Sequence, residues 1–209
     1  QQSAALGDPN GQHNLGRIYL HGVGTEQDSS SAAYWFSKAA EQDHSDALVY
    51  LANLNLDGIG VPQDANKAFI MFQKSAEYGS VEGMRMAGYC FETGLGTDKD
   101  ETMAFKCYSE AASGDDASSL FSLGTCFQYG IGTGVDNTAA FQLYLASANK
   151  GFASAQFNLA LMLLNEIGVE RDIENGIRWL HRAADQGHAR AAEGIEQMAA
   201  QGFKLEQTD

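Results

Sequence analysis

The chain has 209 residues, 44% of them apolar, and a formal net charge of −14 from 27 acidic and 13 basic side chains. A field of that sign repels nucleic acid and anionic lipid, and no block of lysines or arginines offers a local exception. No stretch approaches the roughly 18 consecutive apolar residues that a membrane span requires. In chain order, residues 1–10, "QQSAALGDPN", contain no initiator methionine, no basic patch and no apolar run of signal-peptide type. They read as the interior of something longer: Ser3, Ala4 and Gly7 match the end of a helix that recurs downstream, which predicts further repeats ahead of Gln1.

Shifted by 36 positions, the sequence matches itself without insertion: "LGRIYLHGVG" at 15, "LANLNLDGIG" at 51, "AGYCFETGLG" at 87, "LGTCFQYGIG" at 123 and "LALMLLNEIG" at 159. A period of this length that never slips is the mark of a solenoid or array. The expected units are 11–46, 47–82, 83–118, 119–154 and 155–190, with a half repeat at 1–10, a capping helix at 189–201 and a tail at 202–209, all in one domain. Each unit reads as two short helices. In the first, residues such as Ala47, Leu51, Ala52 and Leu54 recur at helical spacing and form one buried face.

A Gly-x-Gly follows, as in Gly58-Ile59-Gly60, then an aspartate at 28, 64, 100, 136 and 172. A glycine just past a helix suits the left-handed backbone that closes it, and an aspartate can accept the free N–H groups opening the next helix. The phosphate-loop reading fails on context, because a nucleotide loop follows a strand and this one follows a helix. The second helix carries a large residue at 35, 71, 107, 143 and 179, with a small pair four and five positions later. The first helix has a small slot at Gly16, Ala52, Gly88, Gly124 and Ala160, where leucine in place of Gly88 or Gly124 would clash with a neighbouring helix. The sixth copy of that slot is Glu196, costly to bury unpaired, so the stack is expected to end there.

The pattern Leu15-Gly16-x-x-Tyr19-x-x-Gly22-x-Gly24, then Asp28, then Ala32-x-x-Trp35-x-x-Lys38-Ala39-Ala40, resembles the Sel-one-like repeat, a 36-residue relative of the tetratricopeptide repeat. Asn55 departs at the aromatic slot; Asp43, Asp115 and Glu166 depart where the pattern has glycine. The resemblance implies an all-α fold, a right-handed α-solenoid of helix-turn-helix repeats whose first helices line a concave surface, and a role as protein-binding scaffold or adaptor. By analogy with tetratricopeptide units, the groove would present Asn14 and Arg17, Tyr50 and Asn53, Tyr89, Thr125 and Tyr129, and Asn158 and Leu161, with His13, Arg85, Phe121 and Phe157 near its edge. The implied partner is a protein or peptide, since aromatic side chains among asparagines suit an extended backbone. Phe121 and Phe157 read equally as core between repeats.

Enzyme readings fare poorly. His13, His21, His44, His181 and His188 form no paired zinc motif, and no Cys-x-x-Cys occurs, so no metal, cofactor or catalytic residue is expected. Cys90, Cys107 and Cys126 read as buried thiols. Two other readings stay open: a regulatory module of a larger enzyme or signalling protein, and a bacterial protein that binds cell-wall glycan. The acidic charge fits cytosol, periplasm and exterior alike.

Overall fold

The computed structural model describes Ala4 and residues 6–200; the expected tail and the ends of the expected half repeat and capping helix lie outside these. The described residues form eleven α-helices and no strand. They are α1 (Pro9–His21), α2 (Ser29–Ala40), α3 (Ser45–Asp57), α4 (Ala65–Glu77), α5 (Val81–Thr93), α6 (Glu101–Ala112), α7 (Ala117–Tyr129), α8 (Asn137–Asn149), α9 (Ala153–Asn165), α10 (Ile173–Asp185) and α11 (Ala189–Ala200). The chain divides into two compact units, Gln1–Glu110 and Ala111–Asp209.

The Gly-x-Gly and the aspartate act together as one turn. The first glycine closes its helix in the left-handed region, with φ of 66° at Gly22, 68° at Gly58, 76° at Gly94 and 74° at Gly130. The next N–H reaches back to the same carbonyl, as from Ile59 to Leu54 at 3.0 Å and from Leu95 to Cys90 at 3.1 Å, completing a Schellman-type stop. Each aspartate then bonds both ways. Its backbone N–H donates to the helix just ended (Asp64 to Asn55, 2.8 Å; Asp136 to Phe127, 2.8 Å), while its carboxylate accepts from the helix about to begin (Lys67 N–H, 2.9 Å; Ala139 N–H, 2.9 Å). Hydrogen bonding to Ser31 holds Asp28 below the usual carboxylate range, and bonding to Asn175 does the same for Asp172.

The second glycine has a different task. A Cβ on Gly60 would lie 2.3 Å from the carbonyl oxygen of Ser29, on Gly96 2.1 Å from that of Ala65, and on Gly168 2.4 Å from that of Asn137. Each partner opens the second helix of the preceding repeat, so this glycine is where consecutive repeats touch backbone to backbone. The glycine pair is therefore more than the punctuation expected of it.

Inside the helix pairs, the deepest large residues sit one position beyond the expected slot. Phe36, Phe72, Tyr108, Tyr144 and Leu180 are buried, whereas Trp35, Met71, Cys107, Leu143 and Trp179 are only half-buried. The rings of this buried row fill the small slot of the first helix: a Cβ on Gly16 would meet Phe36 at 2.7 Å, on Gly88 Tyr108 at 2.9 Å, and on Gly124 Tyr144 at 2.9 Å. Burial pushes the Cys90 thiol up to about 11, in keeping with a core residue.

The departures from the repeat pattern keep the backbone path. Asp43, Asp115 and Glu166 hold φ of 63°, 57° and 57° despite their Cβ atoms. Lys74 pairs with Asp43 at 2.9 Å and Lys150 with Asp115 at 2.5 Å, each from the following repeat. Asn55, in the aromatic slot, is buried and donates to the Leu51 carbonyl at 2.7 Å, so its amide is partly satisfied within its own helix. Glu196 is exposed, which fits its place on the last described helix.

Candidate functional site

The positions two before, one after and five after the small slot are exposed or half-buried on every first helix from α1 to α9. Asn14, Arg17, Tyr89 and Tyr129 are exposed, and Tyr50, Asn53, Thr125, Asn158 and Leu161 are half-buried. The sequence-derived edge positions behave differently, and each unit shows why.

In the first unit, His13 is buried. Its ring stacks on His44 at 4.7 Å between centroids and lies 5.4 Å from Tyr50, whose own ring stacks on Phe36 at 4.9 Å. His13 Nε2 is buried without a hydrogen-bond partner among the described residues, and burial, with His44 alongside, lowers its pKa from the ordinary value. His44 is the N-cap of α3, its Nδ1 accepting from the Ala47 N–H at 3.2 Å. His13 thus holds the wall and offers little surface to a partner. Arg85 is half-buried and bound to Glu82 through Nε at 2.9 Å and Nη2 at 2.5 Å, which largely cancels its charge. Tyr108 sends its hydroxyl to Glu92 Oε2 at 2.7 Å.

In the second unit, a buried tyrosine organises the polar groups. Tyr144 rises from α8, its ring against Phe121 at 5.5 Å, and its hydroxyl donates to Gln128 Oε1 at 2.8 Å. The same hydroxyl lies 3.1 Å from Thr125 Oγ1 and also bonds the side chain of Asn158. Burial pushes the Tyr144 pKa up to about 12, so it remains a neutral donor and acceptor at any physiological pH. Thr125, Gln128 and Asn158 come from α7 and α9 and are half-exposed, fixed from below by one hydroxyl. Phe157 is buried, stacked on His188 at 4.6 Å with the Arg190 guanidinium 5.0 Å above it. Of its two readings the structure supports core; Phe121 is half-buried, packed on Tyr144 and Phe152.

Sequence reasoning named Thr125 and Asn158 but missed Tyr144, Gln128, Tyr108 and Glu92. The signal was present: one slot of the second helix reads Phe36, Phe72, Tyr108, Tyr144, Leu180, and a hydroxyl appearing in a phenylalanine slot asks for a partner. Among the described residues, no cluster of three or more His, Cys, Asp or Glu side chains could hold a metal, and no helix is long and apolar enough to cross a membrane.

Helix pairs repeating every 36 residues, closed by paired glycines and tied by a two-way aspartate, define an α-helical repeat protein. The Sel1 repeat model matches residues 9–44, 45–80, 81–116, 117–152 and 153–188 in unbroken succession, and the chain belongs to the Sel1 repeat family. A Sel1 repeat protein from Oxalobacter formigenes is 28% identical with a TM-score of 0.88, over 96% of this chain and 81% of that one. The protein c5321, a protective antigen of uropathogenic Escherichia coli strains with an SLR fold, is 30% identical with a TM-score of 0.83. That match covers 96% of this chain but 43% of c5321. No curated protein matches the chain. Sel1 repeat proteins generally mediate protein–protein interaction, and the family is generally non-enzymatic.

Proposed function

We propose that the chain is a scaffold or adaptor that receives an extended peptide or a protein segment along the exposed faces of its first helices. The observation that carries this reading is the Tyr144 hydroxyl holding Thr125, Gln128 and Asn158 in place. Pre-positioned amide and hydroxyl groups lower the ordering cost of binding and suit the donors and acceptors of an extended backbone. Tyr89 and Tyr129, 43% and 66% exposed, supply large amphipathic contact area in the two units. Both can be truncated without opening the core.

The test is affinity capture with the 209-residue chain beside a Tyr89→Ala, Tyr129→Ala variant, after circular dichroism shows both folded. A partner retained by the wild type and lost by the folded variant supports the groove. A partner held equally by both overturns the groove assignment and moves the contact to another face.

A further inference from the structure

One position of the second unit lacks what its neighbour has. The set of Thr125, Gln128, Tyr144 and Asn158 recurs one repeat later as Leu161, Leu164, Leu180 and Gly194. Every polar member has become apolar or has lost its side chain. A leucine in place of the tyrosine and a glycine in place of the asparagine leave space unfilled, and a pocket of about 370 Å³ lies there. It is lined by Leu161, Leu164 and Leu180 with Phe157 and Met198. Gly194 is not forced by crowding: a Cβ there would meet its nearest neighbour, Leu180 Cδ2, at an ordinary 3.6 Å.

Arg190 and Glu193 also line the pocket. The Arg190 guanidinium rests on the Phe157 ring and forms no ion pair among the described residues, so its N–H fork is available to a carboxylate. Glu193, one turn further along α11, disfavours a second negative group. The combination selects a single carboxylate attached close to one apolar side chain, and the last residue of a polypeptide provides both.

We infer that this pocket binds the C-terminal residue of a peptide ending in a large aliphatic side chain, with Arg190 on the terminal carboxylate. The inference rests on the groove reading and adds to it a fixed end and a preferred last residue. Leucine in place of Gly194 fills the pocket from within and favours the helix, so the plugged protein folds.

The probe is the pentapeptide acetyl-Ser-Gly-Ser-Gly-Leu with a free carboxylate, titrated into the 209-residue chain and followed by methyl NMR of Leu161, Leu164, Leu180 and Met198. Shifts at these methyls are expected. A terminal alanine should weaken binding by about tenfold, as loss of buried apolar area requires, and a C-terminal amide or Arg190→Gln should weaken it severalfold. Gly194→Leu should abolish it at unchanged or higher melting temperature. Binding that survives Gly194→Leu, or shifts centred on the Thr125 methyl instead, overturns the pocket while leaving the groove reading intact. Equal binding of the acid and amide peptides, or no shift at all, overturns it also. If the same methyls move on removing residues 202–209 or on raising protein concentration without peptide, the occupant is the protein's own tail or a second copy, and the inference fails.

Discussion

Glycine at two positions of the same turn serves two physical needs, and substitution separates them. Gly24 and Gly96 are equivalent, with φ of 73° and 72°, so alanine at either meets the same left-handed strain of about 1–2 kcal/mol. Around Gly24 nothing among the described residues lies within 4 Å of a Cβ, whereas at Gly96 the Ala65 carbonyl oxygen stands 2.1 Å away. Urea unfolding should therefore show Gly96→Ala losing about 1–3 kcal/mol more than Gly24→Ala, the usual scale of overpacking. Equal losses would show that the repeats do not meet at this glycine. The first function of the pair was legible in the sequence, because a helix C-terminus asks for glycine locally. The second was not, because its cause is a carbonyl in the preceding repeat.

Between elements, three first helices are joined to the start of the next repeat's first helix by a ring pair 31 positions apart in sequence: His13 with His44, Phe121 with Phe152, Phe157 with His188. Only the first of these stacks two titratable rings. His13 is also approached by the charges of Arg17 and Asp46, the arginine depressing its pKa and the aspartate opposing the net downward shift. A histidine whose folded pKa lies below its unfolded 6.5 contributes stability above pH 6.5 and loses it as pH falls below that value. The melting temperature should fall on acidification from pH 7.5 to 5.5, and His13→Phe, copying Phe157, should flatten that fall. An unchanged slope in the variant would remove His13 from the account. The carboxylates held below the usual range, Asp28, Asp43 and Asp172, lose their contribution as pH drops below 3.8, a separate window. Helix number, caps and repeat length were readable from sequence because each depends on residues within one period. The burial of His13 and Phe157 was not, since both positions face an N-cap in the following repeat and their exposure is decided by what stands there.

For the whole molecule, the dominant electrostatic fact is the excess of negative charge, 27 acidic against 13 basic side chains. Its visible ion pairs are largely at the surface, such as Lys38 with Glu41 and Lys99 with Glu101, and are worth little individually. Long-range repulsion should outweigh them. Raising NaCl from about 10 mM to 100 mM shortens the screening length from roughly 30 Å to 10 Å, and the melting temperature should rise. A fall over that range would assign more weight to the local pairs than to the net charge. The two kinds of turn also differ in what they permit. Gly60, Gly96 and Gly168 are sealed against a neighbouring backbone, while around Gly79, Gly151 and Gly187 nothing among the described residues lies within 4 Å of an added Cβ. Extra residues at the sealed turns would pry repeats apart; at the open ones they would project into solvent. The protein thus has a natural seam, and a grafted loop, a cleavage site or a fused domain belongs at Gly79 or Gly151, where the array can be edited without breaking its count.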